Sequence, residues 1–362
     1  MARRRLAIQP RPVGWHEFCR ATLTRLTNVS FYARYIDKHA AKEFVRARVP
    51  TLRVPTTVGY WTNASSLTSL RWRPTGVTEL VFKASHLSGG VMLVRANSVM
   101  CIKAPCMAYK RSDSWTKVLP EGAVLTGART VRVALQTSCG SWLQTSYGNT
   151  RARLGRHLEK PLYQGVPHGC LLEEAIERDL HGQLDIKVFC FGRQPTFLMV
   201  RPINRRFLRN TTRRDDVEES IAYYTTGWQQ LRMYEQFHNA PYEGHERPPY
   251  LQALLKDAAR LASGFDSVRV DFLASAVRYA FNELTFSHHS CAGGTFVPEP
   301  LDLLYGSLAS TGRGLSSGGS LEEQQLRIVA RHERTFVWRC DLNSKATPAT
   351  RTCIWARQHS EP

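Results

Sequence analysis

Two carboxylates sit inside otherwise apolar strands near the C-terminus, and they are the residues best placed to do chemistry. The first segment reads Val268-Arg-Val-Asp-Phe-Leu-Ala274 and the second Tyr279-Ala-Phe-Asn-Glu-Leu-Thr-Phe286. A turn near Ala276 and Val277 sets Asp271 opposite Glu283. Directly opposed side chains in an antiparallel pair have Cβ atoms roughly 5 Å apart and share a face. Two carboxylates that close repel unless a cation or a proton intervenes. Magnesium, a hard cation served by oxygen ligands, is one solution. Ion pairing is the other, and Arg269 lies on the face of Asp271. Spacing alone leaves both open.

The elements that must position these groups follow from periodicity. Asp37 to Arg46 reads as a helix with Asp37 as its N-cap. Glu79 to Lys83 is a short strand, Ser85 to Gly90 a small-residue loop, and Val91 to Val94 the returning strand. Gly169 to Ile176 is a strand ending in acids. Leu184 to Phe191 alternates, turns at Gly192-Arg193 and runs back over Thr196 to Val200, a second hairpin. Tyr250 to Ser263 carries apolar residues at helical spacing and ends at Gly264. Ser320-Leu-Glu-Glu323 is a capping box opening a final helix. Residues 113 to 160 read as irregular, with a helical or mixed region near Trp142 to Tyr147, and Thr311 to Gly319 as a mobile loop.

Composition bounds the function. A chain of 362 residues, 43% hydrophobic, suits one large globular domain or two ordinary ones. No run of 18 apolar residues occurs, and the basic start Met-Ala-Arg-Arg-Arg is not followed by a long apolar stretch, so neither a membrane span nor a secretory signal is expected. A reducing, cytoplasmic setting is the default, with the nine cysteines as buried, inert thiols. Net charge is +19; residues 1 to 50 hold 11 Lys or Arg against 3 acids, and residues 193 to 214 hold seven arginines and no acid. Such fields attract anions. None of the common nucleic-acid motifs is present. The adjacent pair His288-His289, placed in a strand, points to opposite faces and makes a poor zinc site.

Lys83 closes an apolar strand just before the loop 85 to 90, where small residues let backbone N–H groups approach phosphate. A surface turn explains the same residues. Asp185 and Lys187 share a strand face, which suits a salt bridge, and Glu173 and Glu174 end a strand. Strand and loop with lysine, acid-ended strand, lysine hairpin, helix and acidic hairpin occur in that order, and the order resembles the ATP-grasp fold. More closely, the chain resembles the TupA-like ATP-grasp family, through Asp37-Lys38, Phe82 to Gly90, Leu171 to Ala175, Asp185-Ile-Lys-Val-Phe-Cys-Phe-Gly192, Val268 to Phe272, Phe281 to Phe286 and Phe296-Val-Pro298.

The resemblance implies an α+β fold in which two antiparallel sheets sandwich ATP. It divides the chain into a basic N-terminal region (1–75), a small subdomain with a phosphate lid (76–165), a large subdomain with the metal site (166–310), and a Gly/Ser loop, C-terminal helix and tail (311–362). It implies that Lys83 and Lys187, with Asp185 beside the latter, serve the phosphates. Ser88, Gly89 and Gly90 would form the lid, and Glu173 or Glu174 would sit at the adenine and ribose edge. Asp271, Glu283 and Thr285 would hold Mg2+. His86, Arg201 and Arg205 would face the γ-phosphate and the acceptor. The lid departs from the family's Asn-His-Gly-Ser-Gly, with Leu87 in place of a glycine.

The implied reaction is ATP-dependent joining of a carboxylate to an amine through an acylphosphate, on anionic amino acids, peptides or uronic acids, in secondary-metabolite or cell-surface polymer biosynthesis. Three alternatives stay open: a phosphotransferase with a hydroxyl acceptor, a ligase taking its partner from aminoacyl-tRNA, and a non-catalytic polyanion binder. The oligomeric state, a dimer included, is left open.

Overall fold

The computed structural model describes residues 13–25, 29–69, 79–87, 90–95, 98–103, 106–109, 116–119, 123–145, 162–163, 165–176, 183–203, 221–235, 244–291, 296–312, 319–340 and 353–357. Two six-stranded antiparallel sheets dominate it. The first contains β1 (Thr57–Trp61), β2 (Glu79–Ala84), β3 (Val91–Arg95), β4 (Ser98–Lys103), β7 (Val124–Thr126) and β8 (Cys170–Glu174), in the order β1-β8-β2-β3-β4-β7. The short strands β5 (Cys106–Tyr109) and β6 (Thr116–Leu119) pair beside it.

The second sheet is built from β9 (Gln183–Phe191), β10 (Gln194–Ile203), β11 (Ala222–Thr225), β12 (Gln230–Leu231), β14 (Ser267–Ala274) and β15 (Tyr279–Thr285), in the order β12-β11-β10-β9-β14-β15. Two-stranded pairs join β13 (Tyr234–Glu235) to β16 (Phe296–Val297) and β17 (Phe336–Cys340) to β18 (Cys353–Arg357). The α+β architecture with two antiparallel sheets is as expected. The sheets cut across the expected subdomain boundaries, however. The first sheet takes β1 from within residues 1–75 and β8 from within 166–310.

Alternation along the strands decides which face is apolar. In β9 and β10, Ile186, Val188, Leu198 and Val200 face a core shared with α3 (Ala40–Arg48) and α5 (Leu251–Ala262). Phe189, Phe191, Phe197 and Met199 face the other way, onto α1 (Trp15–Arg25), α6 (Glu299–Thr311) and α7 (Leu321–Thr335). The face of β9 that is aromatic at one end is charged at the other, through Asp185 and Lys187. In the first sheet Leu80, Phe82 and Leu172 pack against α4 (Ala128–Gln144), so Lys83 and Glu173 lie on the face away from that helix.

Several local expectations hold. Asp37 ends α2 (Val29–Ile36), and its Oδ1 accepts the N–H groups of His39 and Ala40 at 2.7 and 2.8 Å, satisfying donors at the start of α3. Ser320 and Glu323 form the reciprocal capping box, at 2.7 and 3.2 Å. Gly192 and Arg193 both adopt positive φ, +57° and +70°, as a two-residue hairpin turn requires.

Other expectations are corrected. The region read as irregular contains the 17-residue α4. Its start is Gly127 at φ +94° with no side-chain cap, and its sequence is rich in Thr, Val, Ser and Gly, so neither a start signal nor helix propensity marks it. His288 and His289 lie in a 3-10 turn, His288–Cys291, and not in a strand.

The cysteines are not mainly free thiols: Cys19–Cys291, Cys101–Cys106 and Cys139–Cys170 are disulfides, with Cα separations of 5.7, 5.9 and 5.7 Å. Cys190 is buried and free. Partners 272 and 31 residues apart in sequence are brought together by folding, which spacing does not reveal. No helix of the described residues is long and apolar enough to cross a membrane.

Candidate nucleotide and metal site

The acidic hairpin has the geometry its spacing requires: Asp271 is directly opposite Glu283, and Arg269 opposite Thr285. On the other side β14 runs along β9 and sets Asp271 opposite Lys187. The apolar residues of both strands hold Asp271 in the sheet interior, where it is fully buried. Arg269 Nε donates to its Oδ1 and Nη2 to its Oδ2, both at 2.7 Å, while Lys187 Nζ donates to Oδ2 at 2.7 Å. Lys187 also donates to Asp185, and Arg201, opposite Asp185 on β10, donates to Asp185 Oδ2 at 2.8 Å. The result is a continuous chain, Arg201–Asp185–Lys187–Asp271–Arg269, buried except at Arg201.

Arg269 extends that chain. Its Nη2 donates to Thr285 Oγ1 at 3.1 Å and lies 3.8 Å from Glu283 Oε1, and its Nη1 donates to His288 Nδ1. A guanidinium has only donors, so His288 accepts through Nδ1 and carries its own proton on Nε2. Burial alone would depress the Arg269 guanidinium, but Asp271 first, then Glu283 and Asp185, hold it above its usual range. The ion-pairing reading of Asp271 is therefore met in this structure. Glu283 is the more open carboxylate, with its side chain 32% exposed. Among the described residues no group of three or more His, Cys, Asp or Glu is gathered as a metal cage.

A second charged cluster lies on the open face of the first sheet. Glu173 accepts from Lys83 through Oε1 and from Lys42 through Oε2, the latter at 2.5 Å. All three are buried. Burial alone would raise the Glu173 carboxyl, but Lys83 and Lys42 hold it below the usual carboxylate range. Burial pushes the Lys42 ammonium down against the pull of Glu173. Glu174 pairs instead with Arg53, at 2.8 Å. The two acids thus occupy different environments, Glu173 between two lysines and Glu174 on an arginine.

The lid residues divide. Gly90 sits at φ +70°, the left-handed conformation a glycine adopts freely. Ser88 and Gly89 lie outside the described residues, as does Arg205. His86 corrects the expectation that it meets a γ-phosphate. It is buried, with Nε2 on the carbonyls of Trp142 and Thr145 at 3.0 and 3.2 Å, and Nδ1 accepting from Gly169 N–H at 3.4 Å. Both nitrogens are spent on backbone, and the ring stacks on His168. Burial first, then His168, lowers its pKa to about 4.

Lys42, Arg53, Arg269 and His288 are the participants that sequence reasoning left out of the site. Arg269 was legible as the neighbour two positions before Asp271. Lys42 carried no signal, because its partner is 131 residues away. The N-terminal segment also ties the sheets together. Lys38 Nζ donates to Leu87 O at 2.5 Å, Phe281 N–H donates to Arg53 O at 2.9 Å, and Arg53 reaches Glu174.

Comparison with solved structures gives three similar proteins at low identity. The ATP-grasp ligase PsnB complexed with minimal precursor is 12% identical over 70% of this chain and 51% of that chain, with a TM-score of 0.29. The macrocyclase MdnC bound with precursor peptide MdnA, from Microcystis aeruginosa MRC, is 11% identical over 81% and 67%, with a TM-score of 0.35. The D-alanine–D-alanine ligase from Bacillus anthracis is 14% identical over 83% and 68%, with a TM-score of 0.32. The chain spans about half the length of PsnB, at 51%. No curated protein matches it. The model of one family, the TupA-like ATPgrasp family, does match, over residues 156–309, the part that carries β8, the Asp185–Lys187 strand and the acidic hairpin.

Proposed function

We propose that the protein is an ATP-dependent ligase that joins a carboxylate to an amine. The observation that carries this reading is the TupA-like ATPgrasp match over the segment that builds the Lys187–Asp271–Glu283 cluster. An anionic amino acid or peptide bearing a carboxylate is the substrate class we favour, because residues 193–214 hold seven arginines and no acid, a field that draws anions.

The residues fit the groups such a reaction needs. Lys83 spends one of its three donors on Glu173 and has no second partner among the described residues, which leaves donors for phosphate oxygens. Asp271 accepts three hydrogen bonds and retains lone-pair capacity on Oδ1; Glu283 is open on one side and Thr285 supplies a hydroxyl. Oxygen donors of this kind suit Mg2+. Magnesium, when bound, would neutralise charge on the phosphates. The chain's own residues bind and orient: Lys83 and Lys187 draw phosphate, Glu283 and Asp271 hold the metal, Arg269 keeps Asp271 in place, and Arg201 stands at the edge for an anionic acceptor. No side-chain nucleophile is required, since positioning and charge neutralisation carry such transfers.

The test is ADP release with magnesium against pooled carboxylates and amines, with products identified by mass. The reading expects ADP and phosphate together with an adduct of carboxylate plus amine less water. A phosphorylated hydroxyl product would turn it into a phosphotransferase. Absence of ADP release together with absence of ATP-analogue binding would remove it.

A further inference from the structure

Three buried charged side chains from three separate segments meet on the face of the first sheet away from α4, and their hydrogen bonds are unequally shared. Lys42 Nζ donates to Pro55 O at 3.1 Å, to Thr57 Oγ1 at 3.2 Å and to Glu173 Oε2 at 2.5 Å. An ammonium has three donors, so Lys42 is fully used. Lys83 donates to the other oxygen of the same carboxylate and has no further partner among the described residues. Lys42 and Lys83 are 1% and 6% exposed and Glu173 is 4% exposed, so water does not readily make up the difference. The trio carries two positive charges against one negative.

We propose that Lys42 is a positioning residue: by holding one oxygen of Glu173, it sets the orientation and the effective charge of Lys83 toward phosphate. This rests on the nucleotide reading above. A carboxylate facing Lys83 alone would swing both oxygens onto it and cancel its charge. Shared with Lys42, Glu173 fixes the Lys83 ammonium by one bond and leaves its other donors directed away. Lys42 itself is held from elsewhere: Ala41 and Val45, its neighbours on α3, are buried in the core of the second sheet. Docking of α3 on one sheet therefore governs the geometry of a lysine on the other.

The experiment measures binding of two probes, magnesium AMPPNP and adenosine, by calorimetry. Adenosine lacks phosphates, so a variant that only loosens the fold weakens both. The wild type should bind AMPPNP far more tightly than adenosine. Lys42→Met should weaken AMPPNP about tenfold, the loss of one charge-assisted contact, with adenosine unchanged within about twofold. Lys42→Arg should retain most of the affinity. The double variant Lys42→Met with Glu173→Gln should recover much of the loss, because Lys83 is no longer claimed by an unshared carboxylate.

Equal loss for both probes, no loss for either, or a double variant as weak as or weaker than Lys42→Met would overturn the role of Lys42 while leaving the nucleotide reading intact. A wild type that binds AMPPNP no better than adenosine would overturn both.

Discussion

Asp271 shows how much of a residue's behaviour follows from its two neighbours across the sheet. It is fully buried and accepts from Arg269 and Lys187. Removing one partner of a buried ion pair leaves uncompensated charge, a loss of about 3–5 kcal/mol. Asp271→Asn should therefore lower the unfolding free energy by an amount of that order, read as a lower urea midpoint; a midpoint unchanged from wild type would show that Arg269 and Lys187 find other partners. His86 makes a pH prediction with a definite sign. Burial first, then His168, lowers its folded pKa to about 4 from the ordinary histidine value of 6.5. The unfolded chain thus takes up a proton first as pH falls. Stability is complete above pH 6.5 and declines as pH drops toward 4, by about 3 kcal/mol in all. Denaturant titrations across that window should show the slope, and His86→Gln should flatten it. Glu173, held low by its lysines, adds stability that is complete above the usual carboxylate range and is lost as pH falls through and below that range, so its loss begins at the acid end of this window and continues below it.

At the scale of elements, legibility tracked locality. The hairpin β14–β15, the turn at Gly192-Arg193 and the capping box at Ser320 are written in neighbouring residues, and each was readable. The pairing of β1 with β8, and hence the membership of the first sheet, joins Thr57 to Glu173 and has no local trace. The helix α4 leaves no local signal, because its stability comes from packing Val131, Leu135 and Trp142 against the sheet, not from propensity. Asp37 offers a test of local reading. Its carboxylate satisfies two N–H groups at the head of α3. Asp37→Ala should destabilise the protein by about 1 kcal/mol, while Asp37→Asn should be nearly neutral. Thermal unfolding of the two variants separates a capping role from a charge role, for which Asn would be as harmful as Ala.

For the whole molecule, the disulfides matter more than the composition suggested. Such bonds persist in oxidising compartments and are rare where thiols are kept reduced. Intact mass under non-reducing conditions should fall by about 2 Da for each pair relative to the reduced chain. Closing a loop as long as that between Cys19 and Cys291, 272 residues apart, restrains the unfolded state by up to about 5 kcal/mol. Cys19→Ser should accordingly cost measurable stability under oxidising conditions and none under reducing ones.

The segment from α3 to β1 carries a consequence for how the chain is made. Synthesis proceeds from the N-terminus, and early regions can begin folding before later ones exist. Lys42 awaits a carboxylate 131 residues downstream, and Arg53 awaits Phe281 in a strand later still. Cys19 cannot meet its partner until residue 291 has emerged. A nascent chain halted before Glu173 would hold a buried-type lysine with no counter-ion, and so could not seal its N-terminal region. Protease sensitivity of residues 38–57 on stalled chains of increasing length should drop in two steps, once after β8 emerges and again after β15.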